Sequence, residues 1–255
     1  MISDDYKNYH AGDREARLYQ FKLVAFTLII FGCFIAYAQA WINTAWMAVI
    51  VSICVTRWLI AFHELFHLRS ADQVGFITRL QPIPFAPLNL GYREYREIHK
   101  GHHQHTACET DPDAFHIRGG FIKAFAGSVT QHEQAVVRYI ARHGLNCELI
   151  TLMSIRLGIF VGLLLASPEA FIVWWLVLRV TYIINDFVFF HVVHYRGGQT
   201  GTFPIPLPAW LKYPFIVIYG FDVVYATMFH DTHHKHSLVA AKLLPRVALI
   251  ESANP

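Results

Sequence analysis

The sequence is poor in charge and in cysteine. Asp, Glu, Lys and Arg make up only 15% of its 255 residues, and there are four cysteines. Cys33 and Cys54 fall inside apolar stretches, and Cys108 and Cys147 lack C-x-x-C spacing, so free thiols are expected rather than a disulfide framework. The formal net charge is +3, and the cations are interspersed with acids instead of forming a run that could follow a phosphate backbone. A nucleic-acid partner is not expected. No G-x-G-x-x-G turn, haem motif or cysteine-rich cluster occurs, so the chain cannot draw electrons from a nicotinamide cofactor directly. The start, MISDDYKNYHAGDREARLYQ, is too polar and acidic for a signal peptide. The first apolar helix is expected to serve as its own insertion signal. No low-complexity tract or linker divides the chain, and residues 1–255 read as a single membrane domain.

Apolar residues are plentiful, at 55%, and the mean hydropathy is +0.35, which together predict an integral membrane protein. Four stretches, at about 21–39, 42–62, 149–166 and 169–190, approach the roughly 20 residues that cross about 30 Å of hydrocarbon as a helix. A few residues around Trp41 and Asn43 join the first two, and Ser167, Pro168 and Glu169 join the last two. Two helical hairpins are predicted. Neither connection holds Lys or Arg. Lys7, Arg14, Arg17 and Lys22 precede or open the first span, and Arg69, Arg79, Arg93, Arg96 and Lys100 lie in the middle segment. The positive-inside rule therefore places both termini and the middle segment in the cytoplasm.

Pro82, Pro84 and Pro87 prevent the segment before the second histidine group from spanning as one helix, so it reads as an interfacial stretch leading into a helix. The apolar run at 213–229 is long enough to suggest a fifth span. A fifth crossing would carry the last histidines to the opposite side, so an interfacial or re-entrant placement is predicted.

Sixteen histidines are an unusual number against eighteen acids. Eight of them form three boxes. HELFH carries His63 and His67 at i and i+4 near the end of the second span, on one helical face. HKGHH carries His99, His102 and His103, and HDTHH carries His230, His233 and His234, both at i, i+3 and i+4. If helical, each of these triplets is expected to aim at one point. At this histidine frequency a given H-x-x-H-H arises by chance in roughly one chain in fifteen, and two together far less often. Clustered imidazoles without thiolates suit a first-row transition metal, with iron, zinc, copper and nickel all allowed. Eight or nine ligands exceed the needs of one ion and suggest two metals, with four or five imidazoles each. HELFH also satisfies H-E-x-x-H, the zinc-protease pattern in which Glu64 is the general base. That reading leaves two boxes idle and lacks an evident third-ligand motif. With two metals, Glu64 would instead orient an imidazole.

The order H-x-x-x-H, H-x-x-H-H, H-x-x-H-H over about residues 60–236 resembles the membrane fatty acid desaturase and hydroxylase superfamily, and HKGHHQHTACETDPDAF is similar to its second box and following Asp-Pro-Asp stretch. The resemblance implies an all-α integral membrane protein, with four transmembrane helices in two hairpins and a cytoplasmic helical cap holding a dinuclear metal site. It implies two iron ions, dioxygen as co-substrate, and desaturation of a fatty acyl chain. Hydroxylation of an alkyl, terpenoid or carotenoid substrate is the alternative. A separate ferredoxin, rubredoxin or cytochrome would supply electrons. Arg93, Arg96 and Lys100 could meet an acidic donor or head group, or belong with Glu94 and Glu97 to a solvated face.

The family also takes a ligand from the fourth span, and FHVVHYRG resembles that site, with His194 the better match and His191 its i−3 neighbour. Asp111, Asp113, Asn185 and His191 are candidates to support the ligands. An Asn185 hydrogen bond between helices, and a helix-initiating turn at Asp111–Asp113, are the plainer readings. His105 and His236 are not expected to bind metal, and His10, His116, His132 and His143 are expected at the surface.

Overall fold

The computed structural model describes residues 9–253; Lys7 and Pro255 lie outside them. Most of the described residues are helical. In order come α1 (Asp13–Ala38), α2 (Thr44–Phe66), α3 (Phe76–Leu80), α4 (Tyr92–His105), α5 (Ala114–Ile117), α6 (Gly120–Val129) and α7 (Gln131–His143). They are followed by α8 (Cys147–Ala166), α9 (Pro168–Asp186), α10 (Ala209–Tyr219), α11 (Phe221–Met228), α12 (His230–Lys235) and α13 (Leu244–Ala253). The end of α9 continues as a π-helical stretch, Phe187–Val192, and a two-stranded turn pairs Tyr195–Arg196 with Gln199–Thr200.

Among the described residues, four helices are long and apolar enough to cross a membrane: α1, α2, α8, and α9 with its π-helical extension. Local chemistry sets their starts. Asn43 caps α2 by accepting from the Trp46 N–H at 3.0 Å, Asn146 caps α8 through the Leu149 N–H at 2.8 Å, and Pro168 opens α9 where no N–H is needed. The apolar run at 213–229 forms no fifth span. Gly220, at φ +89°, breaks it into helices of 11 and 8 residues, each too short for the hydrocarbon core.

α1, α2 and α9 share a core around Trp58 and Trp174, both fully buried. The two indoles satisfy their N–H groups between helices, Trp58 on Thr27 and Trp174 on the Ile30 carbonyl, at 3.0 and 3.1 Å. Ser52 pairs with Thr181 at 2.9 Å, and Asn185 donates to Thr56 at 3.1 Å. Polar contacts of this kind tie helices together where the surroundings are too apolar to drive association.

The proline-rich stretch between α3 and α4 is irregular, as expected, and its carbonyls need partners. Arg156 of α8, fully buried, donates to Leu80 O and Asn89 O, both at 2.6 Å. Trp175 and Arg179 of α9 reach the Phe85 carbonyl at 3.2 and 3.3 Å. The loop is thereby pinned against two long helices, and α4 leaves it in a defined direction.

Candidate metal centre

α4 buries Tyr92, Tyr95, His99 and His102 along one side. Its Gly101 faces Pro112 so closely that a Cβ there would lie 2.9 Å from the Pro112 ring. This glycine lets the Asp111–Pro112–Asp113 turn press against the helix between His99 and His102. α12 presents the third box, the end of α2 the first, and His194 follows directly on the π-helical stretch.

All nine predicted histidines meet, but not box by box. His63, His67, His99, His103 and His233 form one group, their ring nitrogens within 4.8 Å of one another. His102, His194 and His234 form a second, and His230 joins it with Nε2 3.0 Å from His194 Nε2. Each H-x-x-H-H is split: its i and i+4 histidines share a group and the i+3 histidine goes to the other. The expectation that each triplet aims at one point is therefore wrong. On a helix, adjacent positions diverge by about 100°, so His102 and His103 part, as do His233 and His234. The two groups abut where His103 stacks on His234, centroids 4.1 Å apart.

A ring nitrogen offers either one proton or one lone pair. His99 Nε2 lies 2.9 Å from His67 Nε2 and 3.1 Å from His103 Nε2, and His194 Nε2 lies 3.0 Å from both His230 and His234. No arrangement of protons gives each of these contacts a good hydrogen bond. Both ring nitrogens of His233 are buried and unpaired. A cation shared by converging lone pairs resolves the His99 and His194 contacts and takes one of the two His233 nitrogens, so the residues fit a metal in each group. Burial, helped by repulsion from neighbouring imidazoles, holds His99 and His233 well below the usual pKa and takes His103 down to about 2 and His230 to about 3. Neutral imidazole is the form that binds metal.

The opposite ring nitrogens are held from behind. His102 Nδ1 lies 2.9 Å from Asp111 Oδ2, and His194 Nδ1 donates to the Phe190 carbonyl at 2.9 Å. Thr106 donates to the His102 carbonyl at 2.9 Å and accepts from His234 Nδ1 at 3.1 Å. These contacts fix the tautomer so that each Nε2 lone pair faces the cluster. Glu64 is buried, accepts from the Ala241 N–H at 2.8 Å, and sets its other oxygen 3.3 Å from His63 Nδ1. No hydrogen bond joins those two atoms, so the contact is one of proximity.

Of the other candidates, Asp113 lies 3.2 Å from His116 Nε2 and also groups with Asp111 within 4.8 Å of His102. His191 turns away and donates to the Ile117 carbonyl at 2.7 Å, so His194 alone represents this stretch in the cluster. Asn185 makes the helix-to-helix hydrogen bond described above and lines the adjoining cavity. His236 pairs with Glu251 at 3.1 Å, while His105 and His143 are exposed, and His10 is half-buried beside Arg69.

His116 and His132 are not surface residues: they are 0% and 1% exposed. His116 sits between Asp113 and Asp186, with Nδ1 2.7 Å from Asp186. Burial disfavours its charge, but the Asp186 carboxylate and hydrogen bonds to both aspartates outweigh this and raise its pKa to about 10. Asp186 was legible as an acid inside an apolar span, and such groups are functional or structural anchors by default. His132 has no comparable local signal. The basic face is also reassigned: Arg96 donates to the Phe66 and Leu68 carbonyls, closing α2, and Glu94 is buried, accepting from the Gly91 N–H at 2.9 Å.

A cavity of about 130 Å³ adjoins both histidine groups. Leu59, Ile60, Phe62, Phe66, Phe189 and Phe190 supply much of its apolar wall, and polar side chains from α7 and α9 line another part. Comparison with family models, curated proteins and solved structures finds no match to the chain.

Proposed function

We propose that the chain is an integral membrane, oxygen-dependent oxidoreductase of the fatty acid desaturase type, with two iron ions held by its nine clustered histidines. The observation that carries this reading is the partition of nine imidazoles into five and four beside an apolar cavity. His63, His67, His99, His103 and His233 would hold one iron, and His102, His194, His230 and His234 the other. When bound, the pair would supply the redox chemistry that turns dioxygen against an unactivated C–H bond.

The chain's own part is positioning and exclusion of water. Apolar residues of α2 and the π-helical stretch seat an acyl chain against the imidazoles, while Asp111, Thr106 and Glu64 keep the rings aimed. Four spans in two hairpins place the histidines at the cytoplasmic ends, under a cap formed by the segments around α3–α7 and α10–α13. A separate ferredoxin, rubredoxin or cytochrome delivers electrons at that face, where Arg93 and Lys100 remain exposed. Desaturation is the favoured outcome. Hydroxylation of an alkyl, terpenoid or carotenoid substrate differs only by small changes in placement. A zinc protease built on HELFH is disfavoured because Glu64 is already engaged by the Ala241 N–H.

The test is metal analysis of purified protein, joined to expression with a reductase system and mass spectrometry of host lipids. Two irons per chain and lipid products lacking two hydrogens, or carrying one extra oxygen, are expected. His102→Ala and His233→Ala should each deplete iron and abolish product while leaving the protein in the membrane. Wild-type iron in both variants overturns the ligand assignment. A single zinc, with peptide cleavage blocked by Glu64→Gln, overturns the oxidoreductase reading.

A further inference from the structure

Beyond its apolar wall, the cavity is lined by Gln81, Tyr95, Gln131, His132 and Tyr182. Their hydrogen bonds can be traced proton by proton. The Asn89 side-chain oxygen accepts from the Leu90 N–H at 2.9 Å, which fixes that amide's orientation. Tyr95 spends its one hydroxyl proton on the same oxygen, at 2.5 Å. The 2.8 Å contact between Tyr95 and His132 Nδ1 must then run the other way, with Nδ1–H donating to the phenol oxygen. Burial, with the Arg179 charge adding to it, keeps His132 neutral by holding its pKa well below the ordinary value. The proton is therefore on Nδ1, and Nε2 carries a bare lone pair.

That Nε2 is buried and has no hydrogen-bond partner, and neither has Oε1 of Gln81, which is 2% exposed. Of the two, His132 Nε2 is fixed as an acceptor by the hydrogen bonds traced above, and Gln81 sets its amide beside the same cavity. The His132 ring is fixed in place by Phe85, stacked at 5.4 Å, and Tyr182, at 4.0 Å, so it cannot swing to another partner. A plain hydrocarbon chain leaves the His132 acceptor unsatisfied, and so does a ketone or ester, which brings that nitrogen no proton.

We propose that this cavity takes an apolar molecule bearing a hydroxyl group, which donates to His132 Nε2 or Gln81 Oε1 while the apolar body lies against the histidine groups. The proposal rests on the oxidoreductase reading above and adds a substrate class to it: a hydroxylated lipid rather than a bare acyl chain. Gln81 and His132 would then determine specificity without touching the metals.

The experiment uses metal-loaded protein in lipid nanodiscs and three probes of one length: 1-octanol, octyl methyl ether and octane. Binding is measured against protein-free nanodiscs, so that partition into lipid cancels. Wild-type protein should bind the alcohol about tenfold or more tightly than the ether, because only the alcohol can donate to a buried acceptor. Gln81→Met and His132→Phe preserve size and, in the second, ring stacking. The variant that removes the acceptor the hydroxyl uses should weaken the alcohol severalfold, and both should leave ether and octane within about twofold of wild type. Equal binding of alcohol and ether by wild type, or unchanged alcohol binding in both variants, overturns the proposal. Iron content and lipid oxidation are read on the same samples. Full iron and lipid oxidation without alcohol preference sinks this inference alone, whereas alcohol preference without iron or oxidation sinks the reading beneath it.

Discussion

Asp111 shows how much of the centre hangs on residues that need not touch a metal. One of its carboxylate oxygens meets His102 Nδ1 and the Ala107 N–H, and the other accepts from the Asp113 N–H, at 2.9, 2.7 and 2.8 Å. Asp111→Ala should free the His102 ring and lower metal affinity roughly 10- to 100-fold, the usual effect of removing such a partner. Competition with a chelator measures it; unchanged affinity refutes the role. Titration is governed by two opposite shifts. His99, His103 and His230 have depressed pKa values, so below the ordinary value of 6.5 the unfolded chain takes up protons that the fold refuses, and stability falls with falling pH. His116 is raised, so its contribution is complete below 6.5 and disappears as pH rises through about 10. Denaturant unfolding of the metal-free protein should therefore show greatest stability near neutrality, and His116→Gln should flatten the alkaline side alone.

Among the elements, α4 carries the sharpest constraint. Gly101 lies between its two innermost histidines, where the helix touches the Asp111–Asp113 turn. Gly101→Ala improves helix propensity by up to about 1 kcal/mol. It also drives a Cβ to 2.9 Å from Pro112 Cγ, and a proline ring has little room to yield. The expected result is near-neutral stability with metal affinity reduced, seen as a lowered metal titration without a matching drop in unfolding midpoint. The box spacing already showed helical faces, because i, i+3 and i+4 is a local relation. It did not show that each H-x-x-H-H would divide, since the second group exists only where α12 and the residues after α9 pack beside α4. The closeness of Gly101 to Pro112 was equally hidden, depending on how a turn folds back onto its own helix.

At the scale of the whole molecule, the four apolar helices and the basic middle segment predict that a reporter fused after Pro255 reports from the cytoplasm, read by accessibility from either side of the membrane. A periplasmic reporter would separate the last histidines from the first two boxes and defeat the single-centre arrangement. The lengths of the four apolar helices and the three boxes were decided by the sequence, because apolar run length and imidazole spacing are properties of neighbouring residues, whereas the break at Gly220 in the 213–229 run came only with the structure. The burial of His116 and His132 was not. Their partners Asp186 and Tyr95 lie 70 and 37 residues away, and nothing local distinguishes such a histidine from one in solvent. Only the tertiary structure decided which imidazoles share a group, which acids stand behind them and which side chains line the cavity, because each depends on contacts between distant segments.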